Sequence, residues 1–179
     1  MTRIHLPVHD HVAFVLVRPH YPENVGAAAR AIKTMGFYDL VLVRPSRLAV
    51  PEHEMAFKMS VRAWDVLNAA RRADDLESVL SSADNVLATS SHRGLSGVLT
   101  ARAAASIVVA DAARGRSTCI LFGNEKTGLS AEELQRATHL VRIPMVGDQP
   151  SINLAQAVQL VAYELFVTAL QAREVREGT

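Results

Sequence analysis

The sequence predicts an α/β domain built on a mainly parallel sheet with flanking helices. Apolar, β-branched runs alternate with helix-like stretches along the chain. Glycines and capping residues punctuate the ends of those runs. The length of 179 residues suits one domain, 1–179, with a sizeable core, and no internal repeat, linker or low-complexity tract divides it.

"VAFVLV" (12–17) reads as the first strand. "NVGAAARAIKTM" (24–35) reads as a helix that Asn24 can cap and Gly36 stops. "LVLV" (40–43) is the next strand, and "EHEMAFKMSV" (52–61) a short helix. "LESVLSSA" (76–83) is a helix with Asp74 or Asp75 as N-cap. "NVLATSS" (85–91) and "TCILFG" (118–123) are strands, separated by an Ala-rich helical stretch, 100–113. Ser130 followed by Glu133 gives a capping box for the helix 131–137. "HLVRIP" (139–144) is the last strand. A long helix, 152–172, follows, capped by Ser151 or Asn153, and the charged end "REVREGT" is expected to fray. The long helix is apolar nearly all round, from Leu154 through Val158, Val161 and Leu165 to Leu170. Such a helix needs cover on both sides, and a second copy of the chain is the natural cover for one of them.

Net charge is only +1, so a nucleic-acid partner has to be held by a local patch. Arginine dominates the cations, with Lys33, Lys58 and Lys126 as the lysines. No segment approaches a charge-free run of about 18 residues, so no membrane span is expected. The N-terminus has no apolar signal region. Cys119, the single cysteine, lies in a strand and has no partner for an internal disulfide. Together these features lead to the expectation of a cytoplasmic protein.

Three loops follow strands, where open α/β sheets bind ligands. "FGNEKTGLS" (122–130) has the glycines of a nucleotide P-loop, but Leu129 stands where the lysine belongs and Glu125 would repel phosphate. A loop with Glu and Asn suits a ligand bearing positive or hydroxyl groups instead. "ENVGAAAR" (23–30) offers Gly26 and alanines for close backbone approach, with Arg30 about two turns in. "GDQPSINLAQA" (147–157) is the third. The serine hydrolase reading of "GLSG" fails because Val98 replaces the required second glycine. His5, His9 and His11 have no second ligand cluster at suitable spacing, so no metal is expected.

"NVGAAARAIKTMGF", "LFGNEKTGLS" and "IPMVGDQPSINLAQAVQLVAYE" resemble, in order, the three motifs of the SPOUT-class, TrmH-like RNA 2′-O-ribose methyltransferases, with greatest likeness to the TrmJ branch. The resemblance covers nearly the whole chain. It implies a deep trefoil knot in the last third, S-adenosyl-L-methionine bound there, and a homodimer formed through helix 152–172 and the first-motif region. It implies a cofactor pocket of Thr89, Ser90 and Ser91; Gly123, Asn124 and Glu125; and Ile143, Pro150, Ser151, Ile152 and Asn153, with apolar contacts from Leu121, Ile143 and Leu154. Arg30 matches the catalytic arginine, Asn24 supports it, and Ser151 and Asn153 complete the catalytic set.

The implied substrate is tRNA at the first anticodon-loop nucleotide, cytidine or uridine. Ribosomal RNA methylation and a non-catalytic RNA-binding role are the alternatives. "SHRGLSGVLT" (91–100) departs from the arginine-rich, proline-containing loop of the nearest relatives, and the chain stops near Thr179 where they continue. A guanidinium with a pKa above about 12 is a poor base. Arg30 is therefore read as a phosphate clamp that stabilises alkoxide charge.

Overall fold

A computed structural model describes residues 4–146 and 151–178. The strands are β1 (Val12–Val17), β2 (Asp39–Val43), β3 (Arg71–Ala73), β4 (Asn85–Thr89), β5 (Val98–Thr100), β6 (Thr118–Phe122) and β7 (His139–Arg142). The helices are α1 (Pro22–Thr34), α2 (Glu54–Met59), α3 (Trp64–Asn68), α4 (Leu76–Leu80), α5 (Ala101–Ala112), α6 (Ala131–Gln135) and α7 (Leu154–Glu177). The strands form one sheet in the order β3-β2-β1-β6-β4-β7-β5. Every pairing is parallel.

A parallel sheet must be covered on both faces, and the alternation of side chains along each strand supplies two cores. Phe14, Leu16, Leu40, Leu42, Ile120 and Phe122 face α1, α5 and α7. There they meet Val25, Ile32, Val108, Val158, Val161 and Leu165. Phe14 packs 5.1 Å from Phe37 and 6.2 Å from Phe122 between ring centroids. Val15, Val17, Val41, Val43, Cys119 and Leu121 face the other way, onto Leu76 and Val79 of α4 and Leu134 of α6. Each fully buried Val, Leu or Phe contributes about 1.5–3 kcal/mol. Burial raises the Cys119 thiol to about 11, so it behaves as a core side chain.

Chain order and sheet order diverge in the second half. β6 inserts between β1 and β4, and β7 between β4 and β5. The carboxyl ends of β6, β4 and β7 therefore stand side by side, although their loops come from three distant parts of the sequence.

Several expectations are corrected here. β3, β5 and α3 were not foreseen. α1 starts at Pro22 with Tyr21 as N-cap, so Asn24 is not the cap; it is buried inside the first turn. Proline at the first helical position, where its missing N–H costs nothing, sets that start. α7 runs on to Glu177 rather than fraying after residue 172, supported by the Arg173–Glu177 ion pair at 3.0 Å. The Asp75 cap, the Ser130–Glu133 capping box and the Asn153 cap form as expected. Gly26 lies where a Cβ would stand 2.0 Å from the Ala56 carbonyl oxygen, so the close approach it permits is that of α2.

α7 buries Leu154, Val158, Val161, Ala162, Leu165 and Ala169, while Leu160 and Tyr163 on its outer face are 41% and 49% exposed. By length and composition alone α7 could cross a membrane. Its inner face instead packs along α1 and α5 as a core helix.

Candidate active site

The loop after β4 is shaped by bonds to both neighbouring strands. Thr89 donates its hydroxyl to the Leu121 carbonyl at 2.8 Å, and the Ser90 N–H reaches the Val141 carbonyl at 2.9 Å. The Ser90 hydroxyl accepts the His92 N–H at 3.1 Å.

The loop after β6 closes on itself. Asn124 Oδ1 accepts the N–H groups of Lys126 and Thr127 at 2.9 and 3.2 Å, and its carbonyl accepts the Gly128 N–H at 2.8 Å. A Cβ on Gly123 would lie 2.3 Å from the backbone of Gly128 and Leu129, so only glycine fits beneath this fold-back. Gly128 has φ +66°, a conformation open to glycine without strain. A P-loop aims such N–H groups at phosphate. Here those of Lys126 and Thr127 are taken by Asn124, which supports the rejection of a phosphate cradle.

Glu125 ties this loop to the first motif. Its carboxylate accepts the N–H groups of His20 and Tyr21 at 2.8 and 3.2 Å and the Asn24 amide at 2.9 Å. Asn24 Oδ1 accepts in turn from Asn153 Nδ2 at 2.9 Å. Asn153 Oδ1 caps α7 through the N–H groups of Ala155 and Gln156 at 2.9 and 3.2 Å. One chain of polar contacts thus joins all three motifs. The acidic end of that chain sits at the N-terminus of α1, where a carboxylate is favoured.

These loops enclose a cleft of about 600 Å³, within the range of small-molecule sites. Thr89, Ser90, Ser91, Gly123, Asn124, Glu125, Ile143, Ser151 and Ile152 line it. Asn153 stands next in the chain. Pro150 lies outside the described residues. Phe122, Leu129, Leu134, Met145 and Leu154 supply apolar lining. Leu121 does not: it is fully buried in the opposite core, and its neighbour Phe122 takes the role expected of it. An apolar floor with hydroxyls and backbone at the rim fits a nucleoside-like cofactor and gives no cluster of cations for a polyphosphate.

Arg30 is elsewhere. It is exposed on α1 and lines a second cleft of about 520 Å³ with Lys33, Thr34, Val61, Arg62 and Ala63. Within one chain, Ser151 lines the first cleft, whereas Asn24 and Asn153 do not line it but are bonded to each other and, through Asn24, to Glu125 on its wall; Arg30 lies outside it. Among the described residues no group of three or more His, Cys, Asp or Glu is placed to hold a metal ion. His5 pairs with Asp10 at 2.8 Å, and His9 is buried against the Phe37 ring.

The model of the SpoU rRNA Methylase family matches residues 11–163, which take in every loop described above. The chain belongs to the SpoU rRNA methylase family. It is 39% identical over 166 residues to the tRNA (cytidine/uridine/adenosine-2′-O-)-methyltransferase TrmJ of Pseudomonas aeruginosa strain UCBPP-PA14. That match covers 92% of this chain but 63% of the relative, so the chain spans less than two thirds of that protein's length. Among solved structures, TrmJ from Z. mobilis ZM4 superposes with a TM-score of 0.78 at 34% identity, covering 87% of this chain and 69% of that one. A probable methyltransferase from Bordetella pertussis Tohama I gives 0.84 at 32% identity, covering 90% and 96%.

Beside the loops of this SpoU domain lies a set of residues that sequence reasoning missed. Arg18 and Arg44, at the ends of adjacent strands, both adopt left-handed backbone, φ 52° and 46°. Arg18 forms an ion pair with the buried Glu133 and donates to the Gly128 carbonyl at 3.2 Å. Arg44 lies 3.7 Å from the same carboxylate. Burial, with Arg44 nearby, lowers the Arg18 guanidinium from its ordinary value. The capping box announced Glu133 as a helix residue only; nothing in the local sequence announced the two arginines that converge on it.

Proposed function

We propose that this chain is an S-adenosyl-L-methionine-dependent RNA 2′-O-ribose methyltransferase acting on tRNA, at cytidine or uridine at the first anticodon-loop position, in the cytoplasm. The observation that carries the reading is the convergence of three carboxyl-end loops on one cleft, tied together by Glu125, Asn24 and Asn153. The family membership and the similarity to TrmJ proteins support the reaction and substrate class. The trefoil knot implied by the family resemblance belongs to this proposal, and the insertion of β6 and β7 between earlier strands is compatible with it. The domain is taken as single, spanning 1–179.

The cofactor supplies an electrophilic methyl group on a sulfonium when bound. The protein contributes alignment and electrostatics. Thr89, Ser90, Ser91, Gly123, Ile143, Pro150 and Ile152 form the holding surface, with Phe122 and Leu154 as apolar contacts. The side chains of Asn124 and Glu125 shape their loop, so their contribution comes through backbone and position. Ser151, Asn153 and Asn24 orient the ribose. Arg30 holds the adjacent phosphate and stabilises the developing alkoxide, while the proton passes to solvent.

Arg30 lies outside the cofactor cleft of its own chain, so it serves the cleft of a second copy. The outer face of α7, with Leu160 and Tyr163 exposed, is the surface for that homodimer, together with the first-motif region.

Titration calorimetry with S-adenosylmethionine and its demethylated product tests the cofactor; heat with ATP alone overturns it. Radiolabelled methyl transfer to tRNA and to ribosomal RNA tests the substrate. Heterodimers of Arg30→Ala with Gly123→Arg, each inactive alone, are expected to regain up to about half of wild-type turnover, because symmetry leaves one site intact. A well-folded heterodimer without activity places each site within one chain.

A further inference from the structure

The second cleft carries more than Arg30. Arg62 lines it too, held at φ 62°, a left-handed conformation that a long side chain seldom adopts. Lys33, the third cation, is neutralised by Asp65 at 2.6 Å. Among the described residues Arg30 and Arg62 make no ion pair, so this cleft presents two uncompensated guanidiniums. Immediately beyond Ala63, Trp64 stacks on Phe57 with ring centroids 4.9 Å apart and planes 9° from parallel. Both rings stay about half exposed, 47% and 48%. They cover each other on one side and offer aromatic surface to solvent on the other.

Free guanidiniums beside an open aromatic platform match one class of ligand, a flexible polyanion that carries planar bases. Single-stranded nucleic acid binds in this way, with phosphates in a cationic groove and bases on aromatic rings. We propose that Arg62, Phe57 and Trp64 form a nucleotide subsite for the RNA strand that flanks the methylated residue. Arg62 takes a phosphate next to the one held by Arg30, and a neighbouring base stacks on the Trp64–Phe57 pair. The inference rests on the RNA methyltransferase reading and names where its substrate lies. The left-handed backbone at Arg62 fixes where its side chain leaves the main chain, on the rim of the cleft that Arg30 also lines.

Trp64 is the only tryptophan of the chain, so its fluorescence reports this subsite alone. The full chain is titrated with single-stranded oligouridylate, with an abasic oligomer of equal charge, and with no RNA across a range of protein concentrations. Saturable quenching by oligouridylate, absent with the abasic oligomer, is the expected result. By anisotropy with labelled oligouridylate, Trp64→Leu weakens binding about 5- to 100-fold, as loss of one stacked base would. Arg62→Gln reduces the slope of log affinity against log salt by about 0.7, the share of one phosphate on a single strand. Thermal unfolding of both variants checks that the fold is kept.

An unchanged salt slope in Arg62→Gln overturns the phosphate assignment. Fluorescence that follows protein concentration and ignores RNA overturns the subsite and makes the patch a protein interface. Methyl transfer by wild type, measured on the same preparation, separates the two levels. Turnover without quenching sinks the subsite only. Quenching without turnover on any RNA leaves the subsite standing and sinks the enzymatic reading.

Discussion

The two clefts are built on opposite principles. In and behind the cleft that we propose for the cofactor the polar side chains are tied together: Asn124 to its own loop, Glu125 to the start of α1, Asn24 to Asn153, Asn153 to α7. In the Arg30 cleft two guanidiniums stand without carboxylate partners among the described residues. A pocket for a small molecule gains from being set before the ligand arrives, because ordering costs then fall on folding rather than on binding. A surface for a polyanion gains from leaving its cations uncompensated, since an internal partner would have to be displaced.

The largest stability effect is expected from Gly123→Ala. Its Cβ would meet the backbone at 2.3 Å, and neither Gly128 nor Leu129 can give way cheaply. The loop must reopen, so calorimetry should show no cofactor binding and the unfolding midpoint should fall by several degrees. Binding and stability close to wild type would mean that the loop is not a fixed wall of the cleft. Glu125→Ala comes next. It strands the His20 and Tyr21 N–H groups and the Asn24 amide, at a cost of about 1–3 kcal/mol by chemical denaturation.

Asn153→Ala removes the α7 cap and the bond to Asn24 and should cost about 1–2 kcal/mol. Glu125→Ala and Asn153→Ala combined are expected to be less than additive, because both act through Asn24. Full additivity would break the claim of one connected network. Arg30→Ala is expected to change stability least, within about 0.5 kcal/mol, as for surface substitutions. It should also leave cofactor affinity intact while methyl transfer is lost. A large stability loss would show that Arg30 has a partner in the folded chain after all.

The sequence carried the frame and the loops that line the first cleft, but not the contacts between them. β1 is legible because six apolar residues in a row leave no alternative to a buried strand. The three motifs are legible as carboxyl-end loops because each follows such a run. β3 is not: "RRA" reads as surface, and it becomes a strand by pairing beside β2, with Arg71 held by Asp39 at 2.9 Å. Asn24 looked like a helix cap because capping is a local rule, whereas Pro22 and a carboxylate from residue 125 settled the start of the helix. Arg18 and Arg44 were silent for the same reason, since Glu133 reaches them only in three dimensions.

The bond from Asn24 to Glu125 spans 101 residues of sequence, and that from Asn24 to Asn153 spans 129. Such distant pairs form late, because loop closure comes before the reward of contact. During synthesis, residues 12–73 can emerge and pair β1, β2 and β3 well before the loop containing Asn153 exists, whereas β4 waits for β6 and β7. The first cleft therefore cannot be completed on a chain that ends before α7. Ligand binding then becomes possible only once the chain through the start of α7 has been made and folded, and a chain stalled before α7 would be blind to the ligand however well its first strands had paired.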